Sequence, residues 1–470
     1  MKKIICFGAG KIGTKVSSLL NGCGIGIYCY IDNNKDLWNK KKDGIPICSP
    51  DILSDQNDFE VLITCKNDEE IAMQLKVMGI DENCVFSVKS IWNFLLFLEK
   101  DEWSFKNTEN PEFAKDRILF DLENGLVFGG VETWCFESQK TLKKIGYESK
   151  YICSDRVPVV IESEKKDTVF FKDFDDYNLK TESILKTIIN YSAGNFIVNF
   201  AGANLYSACI AKRIFRENFR LIAVVLSDHP AYYEAYATLQ NYFDYCFVIS
   251  NKIKETLISY GFPAKKIRLI KWLKKCDDKL IRNYSKQDEP IKIGYAGRLS
   301  VIDKRADLLG EIILKTYERG INASFEIAGT GDFAAELQKI ITVNKLDGKV
   351  KFLGFVDSSK ISDFWRQQDI MIGCSDREGH SMTQMEAMSS GAVPIITDTS
   401  GARDDVSDGK NGYVVPVGDT DAIVEKVEFL FKNRQLLNEM GAKAHQHVKI
   451  NNNENCILDL WEEVLLDAKN

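Results

Sequence analysis

Short apolar runs alternate with helical periodicity along almost the whole of this 470-residue chain. A strand buried on both faces reads as a continuous apolar run, and a helix crossing between two such strands leaves them parallel. The alternation therefore predicts an α/β chain built of doubly wound sheets. A chain this long suits about three domains, and the alternation recurs three times. Residues 1–98 carry apolar runs at Ile4–Phe7, Gly26–Ile31, Val61–Thr64 and Val85–Val88, with helical patterns at Ile12–Leu20 and Glu69–Met78. Residues 99–116 are polar and aperiodic, contain Pro111, and read as a linker. Residues 117–285 form a second run, with strands expected at Ile118–Leu122, Phe196–Phe200, Leu221–Ser227 and Cys246–Ser250, and helices at Val131–Ile145 and Tyr233–Tyr242. A polar connector covers 278–289. Residues 286–450 form the third, with strands at Ile291–Ala296, Ser324–Ala328, Val350–Phe355, Ile370–Cys374, Val393–Thr397 and Tyr413–Val415. Residues 451–470 hold a last helical pattern. Two successive doubly wound domains imply a cleft, with ligands beyond the carboxyl ends of the strands.

Composition narrows the function classes. The net charge of −7 argues against a nucleic-acid binder, which needs a basic field. The longest apolar runs, such as Leu221–Leu226, fall far short of the roughly 20 residues that span a bilayer. The run after Met1-Lys2-Lys3 is too short for a signal peptide and reads as a strand; the cytoplasmic location expected for the chain rests on its cysteine usage. The 13 cysteines are odd in number and show no CxxC spacing, which fits reduced core thiols rather than a disulfide framework. The four histidines form no HxxxH or HExxH pattern, so no metal site is expected.

The densest chemistry lies in 369–397. A buried strand ends near Cys374, a loop carries Asp376-Arg377-Glu378-Gly379-His380, and a helix opens at Ser381, whose hydroxyl can cap it. Gly391 closes that helix. Amides from Gly379 through Ser381, Met382 and Thr383 would then be free, and such a helix start attracts phosphate. Glu378 in the loop and Glu386 in the helix can face one ligand. Two glutamates eight residues apart are by themselves ordinary surface charges; the surroundings change that weighting. Gly297-Arg298-Leu299 ends one strand, and Lys304 follows; a guanidinium fork and an ammonium at a strand end suit a diphosphate. Gly329-Thr330-Gly331-Asp332 ends another strand. Thr399–Asp405 and Lys410–Tyr413 complete the rim.

Residues 291–418 resemble the C-terminal lobe of family 4 glycosyltransferases, whose fold is GT-B. The resemblance rests on Gly297–Leu299 with Lys304, on Gly329–Asp332, on the E-x7-E pair Glu378 and Glu386, and on Asn411–Val415, all in the family's order. It extends to Gly129-Gly130-Val131-Glu132-Thr133, similar to the family's glycine-rich donor loop, and to Ser227-Asp228-His229-Pro230, and covers about residues 117–468. It implies two Rossmann-like lobes facing a cleft, with the last helix crossing back to the first lobe. It implies transfer of a sugar from a UDP-, GDP- or ADP-sugar, with retention and without a metal, to a glycan or lipid-linked acceptor in surface polysaccharide synthesis. Arg298 and Lys304 would hold the diphosphate, Glu386 the ribose, and Glu378 and the amides of Gly379–Thr383 the sugar. Gly129 and Gly130 would close over the donor, and Gly297, Gly329 and Gly331 would line its site. His229 either contacts the reacting sugar or merely starts a helix. The loop departs from the family's usual aromatic after E-G: His380 stands there, as a sugar contact or as a solvated loop residue. A nucleotide-sugar epimerase or phosphorylase on the same scaffold, or a non-catalytic nucleotide-sugar-binding subunit, are the alternatives. A lipid-linked acceptor would place the protein at the inner membrane face, where the basic stretches Lys212–Arg220 and Lys265–Lys275 could touch anionic lipid; solvated helix faces explain them more simply, since neither stretch shows an amphipathic anchor.

Gly8-Ala9-Gly10-Lys11-Ile12-Gly13 between a strand and a helix, with Asp32 after the second strand, is a G-x-G-x-x-G fingerprint in the right context. Bound NAD is one reading. A Rossmann module that keeps its glycine turn for packing, or that holds another ligand, is the other. The segment resembles small Rossmann domains fused to bacterial polysaccharide enzymes, and no Tyr-x-x-x-Lys dehydrogenase context accompanies it, which weighs against NAD.

Overall fold

A computed structural model describes residues 3–22, 25–55, 59–65, 68–81, 84–87, 112–127, 129–175 and 177–466. Residues 99–111 of the expected linker, Val88 and the last four residues lie outside the described residues.

Three sheets follow one another, and each is wound both ways from its first strand. In the first, β1 (Lys3–Phe7) lies between β2 (Ile27–Ile31) and β5 (Phe59–Ile63), with β4 (Ile45–Cys48) and β6 (Val85–Ser87) outside them and β3 (Lys41–Lys42) as an antiparallel edge. In the second, β7 (Ala114–Asp121) lies between β8 (Glu148–Ser154) and β10 (Ala193–Val198). Beyond β8 comes β9 (Thr168–Phe171); beyond β10 come β11 (Arg220–Val225), β12 (Tyr245–Val248) and β13 (Ile267–Leu269). In the third, β14 (Ile291–Ala296) lies between β15 (Ala323–Ala328) and β17 (Ile370–Gly373), flanked by β16 (Val350–Gly354) on one side and β18 (Val393–Thr397) and β19 (Tyr413–Val415) on the other. Sheets two and three are parallel throughout.

Continuous apolar sequence follows from this topology. Every residue of β10 and of β18 is buried, because helices cover both faces. The order puts a topological switch point between β14 and β17, where helices leave toward opposite faces and the strand ends open a crevice. A second switch point lies between β7 and β10. The chain differs from the sequence reading at several strand ends. β7 begins at Ala114, inside the stretch read as linker, and the strands read to Leu122, Phe200, Ser227 and Ser250 stop at Asp121, Val198, Val225 and Val248. The residues released turn over the carboxyl edge and become cleft loops.

The last helix, Glu454–Leu466, packs on the second sheet's domain. Trp461 is fully buried there, its ring 5.2 Å from Phe247, 6.1 Å from Trp134 and 6.3 Å from Phe120. Arg220 donates to the Val464 carbonyl at 2.8 Å, and Arg268 to Glu463 at 2.6 Å. The described cysteines are all free thiols, mostly buried.

Candidate active site at the cleft between two lobes

The C-terminal edge of β17 leads into the loop that carries Glu378. That loop is pinned twice to the loop after β14. Arg305 Nη1 donates to both carboxylate oxygens of Asp376 at 3.0 Å, and the Asp376 amide donates to the Asp303 carbonyl at 2.8 Å. Asp303 and Arg305 both have positive φ, 64° and 53°, so this is a tight turn built at a backbone cost. Between the pins, Lys304 Nζ donates to Glu378 Oε1, which also accepts from Ser375 Oγ at 3.1 Å. The two residues assigned from the sequence to the diphosphate and the sugar thus form one ion pair at the switch point, each side chain about one-fifth exposed.

Tyr295 locates Arg298 in the same place. Its hydroxyl donates to the Arg298 carbonyl at 3.1 Å. Burial pushes the phenol up, helped by Cys374 and Glu378 and opposed by Arg298, so both site charges reach one ring. The Arg298 side chain is exposed at the mouth of the cleft.

The helix Met382–Ser389 starts as its sequence requires. Ser381 Oγ accepts from the Gln384 amide at 3.3 Å. Among the described residues, the amides of Gly379, His380, Ser381, Met382 and Thr383 donate to no protein acceptor. At the other end Gly391 takes φ 78° and donates to Met388. Glu386 sits half-buried inside the first turns. Burial raises its carboxyl above the usual range, opposed by Lys274, whose Nζ lies 3.9 Å away.

The site glycines separate by what they do. A Cβ on Gly329 would lie 1.8 Å from the Gly297 carbonyl, and one on Gly331 2.2 Å from the Leu299 carbonyl. These positions are glycine because two loops stack backbone on backbone. Gly379 packs on the other lobe: its Cβ would lie 2.1 Å from the Leu226 carbonyl oxygen. Gly129 caps the helix Gly130–Lys144, and its Cβ would collide with the buried Glu132 carboxyl at 2.2 Å. Gly379→Ala is accordingly expected to force the lobes apart and to cost about 1–3 kcal/mol of stability, the range for overpacking. The denaturant midpoint checks this; an unchanged midpoint means that the lobes shift freely at this contact.

One of the two candidate histidines sits where one of its sequence readings put it, and the other does not lie in solvent. His229 is the N-cap of the helix Pro230–Thr238, with Nδ1 accepting from the Ala231 amide at 3.2 Å. That bond puts the proton of the neutral ring on Nε2. Beside it, Asp228 accepts from Tyr233 at 2.6 Å and from Ser400 Oγ of the other lobe. His380 is not a solvated loop residue. Its side chain is wholly buried with Nε2 against Asp405 Oδ2, and its carbonyl accepts from Trp272 Nε1 at 3.1 Å. Asp405, Trp272, Lys271 and Lys274 form this second layer, and nothing in their local sequence announced it. Parts of the basic stretches are turned inward, while Arg216, Lys265 and Lys275 are exposed. Lys212 pairs with Asp244 at 2.9 Å, Lys266 donates to the Phe243 carbonyl at 2.7 Å, and Lys271 lies 3.7 Å from Asp405.

In the first domain, internal contacts account for much of the fingerprint. Gly8 has φ 115° and abuts Thr64, and a Cβ on Gly13 would lie 2.1 Å from the Gly8 carbonyl. Asp32 accepts from the Ala9 amide and the Asn34 amide, each at 2.9 Å, and Lys42 lies across the Ala9 carbonyl at 2.5 Å. Each Asp32 oxygen thus accepts one bond from the turn itself. No neighbour requires glycine at Gly10.

This geometry places the chain among known proteins. Residues 277–447 match the family "Glycosyl transferases group 1". Residues 1–86 match a second family, described as C2185-like, N-terminal. The Staphylococcus aureus (strain COL) poly(ribitol-phosphate) alpha-N-acetylglucosaminyltransferase is 28% identical over 185 residues, 38% of this chain and 36% of its own length. The Staphylococcus aureus capsular polysaccharide biosynthesis glycosyltransferase CapM is 26% identical over 223 residues, 46% of this chain and 56% of its own. The chain spans 31% to 40% of the length of the first curated relatives it matches. Among solved structures, Anabaena HepE in complex with UDP and glucose superposes with a TM-score of 0.63 at 18% identity, covering 75% of this chain and 99% of its own. The fold is GT-B, with the group 1 module forming its second lobe and the Lys304–Glu378 pair at that module's switch point. No helix among the described residues is long and apolar enough to cross a membrane.

Proposed function

We propose that the protein is a retaining glycosyltransferase that moves a sugar from a nucleotide-diphosphate donor to a glycan or lipid-linked acceptor in surface polysaccharide synthesis, at the cytoplasmic side of the membrane. The observation that carries this reading is the meeting of Lys304, Glu378, Arg298 and the unpaired amides of Gly379–Thr383 at one switch point. The fixed Lys304 ammonium, the exposed Arg298 guanidinium and a helix start match a diphosphate, and their pull on it grows as the bond from the anomeric carbon to phosphate breaks. The acceptor oxygen would form its new bond on the face that the diphosphate leaves, and its proton would pass to a phosphate oxygen. Glu378, held by Lys304 and Ser375, would orient a sugar hydroxyl. Glu386 would accept from the ribose hydroxyls. His229, with Nε2 carrying its proton, would donate toward the sugar from the opposite lobe, and Gly129 and Gly130 would close above it. The names of the relatives, a wall-polymer N-acetylglucosaminyltransferase and a capsule enzyme, support the polysaccharide setting.

A thermal-shift screen of the full chain against UDP-, GDP- and ADP-sugars tests this. A ligand at 100 times its dissociation constant stabilises the folded state by about 2.7 kcal/mol, so one nucleotide class is expected to raise the melting temperature clearly above the others. No shift with any of the three sinks the donor site. Release of free sugar or a sugar phosphate, with no product that depends on acceptor, would turn the reading toward an epimerase or phosphorylase.

A further inference from the structure

Asp405 lies at the end of the short helix Ala402–Asp405, and its carboxylate is wholly buried. Three cationic or potentially cationic side chains from three different elements face it. His380 comes from the loop before the helix Met382–Ser389, His447 from the helix Gln435–Asn451 with Nε2 at 3.0 Å, and Lys271 from the segment joining the lobes at 3.7 Å. Burial alone would raise this carboxyl; the charge and contact of His380, then His447 and Lys271, hold it far below the usual carboxylate range. The backbone beneath is fixed as well. Asn411 donates to the Asp405 carbonyl at 2.9 Å and accepts from the Ser407 amide at 2.8 Å.

This turn presses on the donor loop. A Cβ on Gly401 would lie 2.6 Å from the Gly379 carbonyl and 2.7 Å from the His380 Cα. Neither His380 ring nitrogen makes a well-aligned hydrogen bond; Nε2 meets the Asp405 carboxylate as a close charge contact, and the His380 carbonyl accepts from Trp272. The residues on either side of His380 are Gly379 and Ser381, whose amides donate to no protein acceptor among the described residues. We propose that Asp405 is the positioning residue of the phosphate-binding loop, acting through the His380 ring, and that it ties this loop to the segment joining the lobes and to the helix Gln435–Asn451. The placement of the loop by Asp405 is independent of function; its consequence for phosphate binding rests on the donor-site reading above.

The test uses the full chain and two readouts: hydrogen exchange of the peptide covering 376–384 without ligand, and calorimetric binding of UDP, with GDP and ADP in parallel. Each variant is measured well below its own melting temperature. Asp405→Leu strands a buried imidazole, and Asp405→Asn is the milder substitute where the leucine variant does not fold. Either is expected to speed exchange of the loop and to weaken nucleotide binding by about tenfold each, within the coupling expected of contacting groups. His380→Phe combined with Asp405→Leu replaces the wholly buried pair by apolar residues, a change that buried pairs often tolerate, and leaves His447 and Lys271, both partly exposed, to solvent. It is expected to bring both readouts back to within about threefold of the natural protein. Such rescue separates action through His380 from direct contact with the nucleotide. Unchanged exchange in the single variants overturns the proposal, as does a double variant no better than Asp405→Leu. If the natural protein binds none of the three nucleotides, the donor site falls, and loop exchange still decides the role of Asp405.

Discussion

Lys304→Ala is expected to lower kcat for sugar transfer by about 100- to 1000-fold, the loss typical when one fixed donor to a developing oxyanion is removed. The position of the ammonium explains the size of the effect. Lys304 sits on a turn whose backbone is held by the bonds from Arg305 Nη1 to the Asp376 carboxylate and by the bond from the Asp376 amide to the Asp303 carbonyl, so the charge is placed before substrate arrives. A charge that needs no reorganisation at the moment of reaction is worth more than one that must be recruited from solvent. The change also strips Glu378 of its cation, leaving only Ser375 on that carboxylate. Sugar orientation and charge neutralisation therefore fail together. The fold should persist, because the side chain is partly exposed and the Arg305 pins remain. Lys315→Ala is the control: that ammonium pairs with Glu311 and Asp421 at 2.8 Å and 2.6 Å, on the helix Ala306–Glu318. Its transfer rate should match that of the natural protein. Steady-state rates with the nucleotide sugar chosen by thermal shift check both. Full activity in Lys304→Ala and in Arg298→Ala would remove the assignment of this crevice as the donor site.

The parts of this site that were legible in the sequence were local ones. Ser381 as a cap, Gly391 as a helix stop, and strands ending at Gly297 and before Glu378 all follow from a few neighbouring residues. Strands of the third sheet were clear because both faces are buried. β8 and β9 were not, since Glu148–Ser154 opens with an exposed polar residue and Thr168–Phe171 is a short edge strand. What local pattern cannot carry is partnership across the chain. Asp405 meets His380, His447 and Lys271 only because three elements fold onto one another, so His380 read as a loop residue when it is an interior one. Gly329 and Gly331 read as lining a ligand site, and the sequence did not show that a Cβ on either would meet the backbone of Gly297–Leu299. Likewise Lys274 read as part of a basic surface stretch, yet it faces Glu386.

That last contact sets up a trade between stability and activity at Glu386. The residue belongs to a helix whose neighbours Met385 and Ala387 are core, and burial lifts its carboxyl above the value it would have in an unfolded chain. Lys274 offsets this, but at 3.9 Å it makes an ion pair without a hydrogen bond. For an acid whose folded pKa is raised, folding is undisturbed below the unfolded value of about 4.3, and stability is lost as the pH rises from there through the folded value. Glu386→Gln keeps the shape and removes the charge. Its melting temperature is therefore expected to exceed that of the natural protein at pH 7, and to coincide with it at about pH 4 and below, where the natural carboxyl is also neutral. Calorimetry across that range checks the sign; a lower melting temperature at pH 7 would mean that the Lys274 contact outweighs burial. The same substitution should raise the KM for the nucleotide sugar by about 10- to 100-fold, because hydrogen bonds to a charged acceptor contribute about 1.5–3 kcal/mol each and an amide oxygen replaces only part of that. Adding the nucleoside diphosphate alone should show the same loss in affinity, since the ribose belongs to it. An unchanged KM and unchanged diphosphate affinity would take Glu386 out of the ribose site. A variant that is more stable at neutral pH and binds its donor poorly would show that the ionised carboxylate is retained here against the stability of the fold, because the donor requires it.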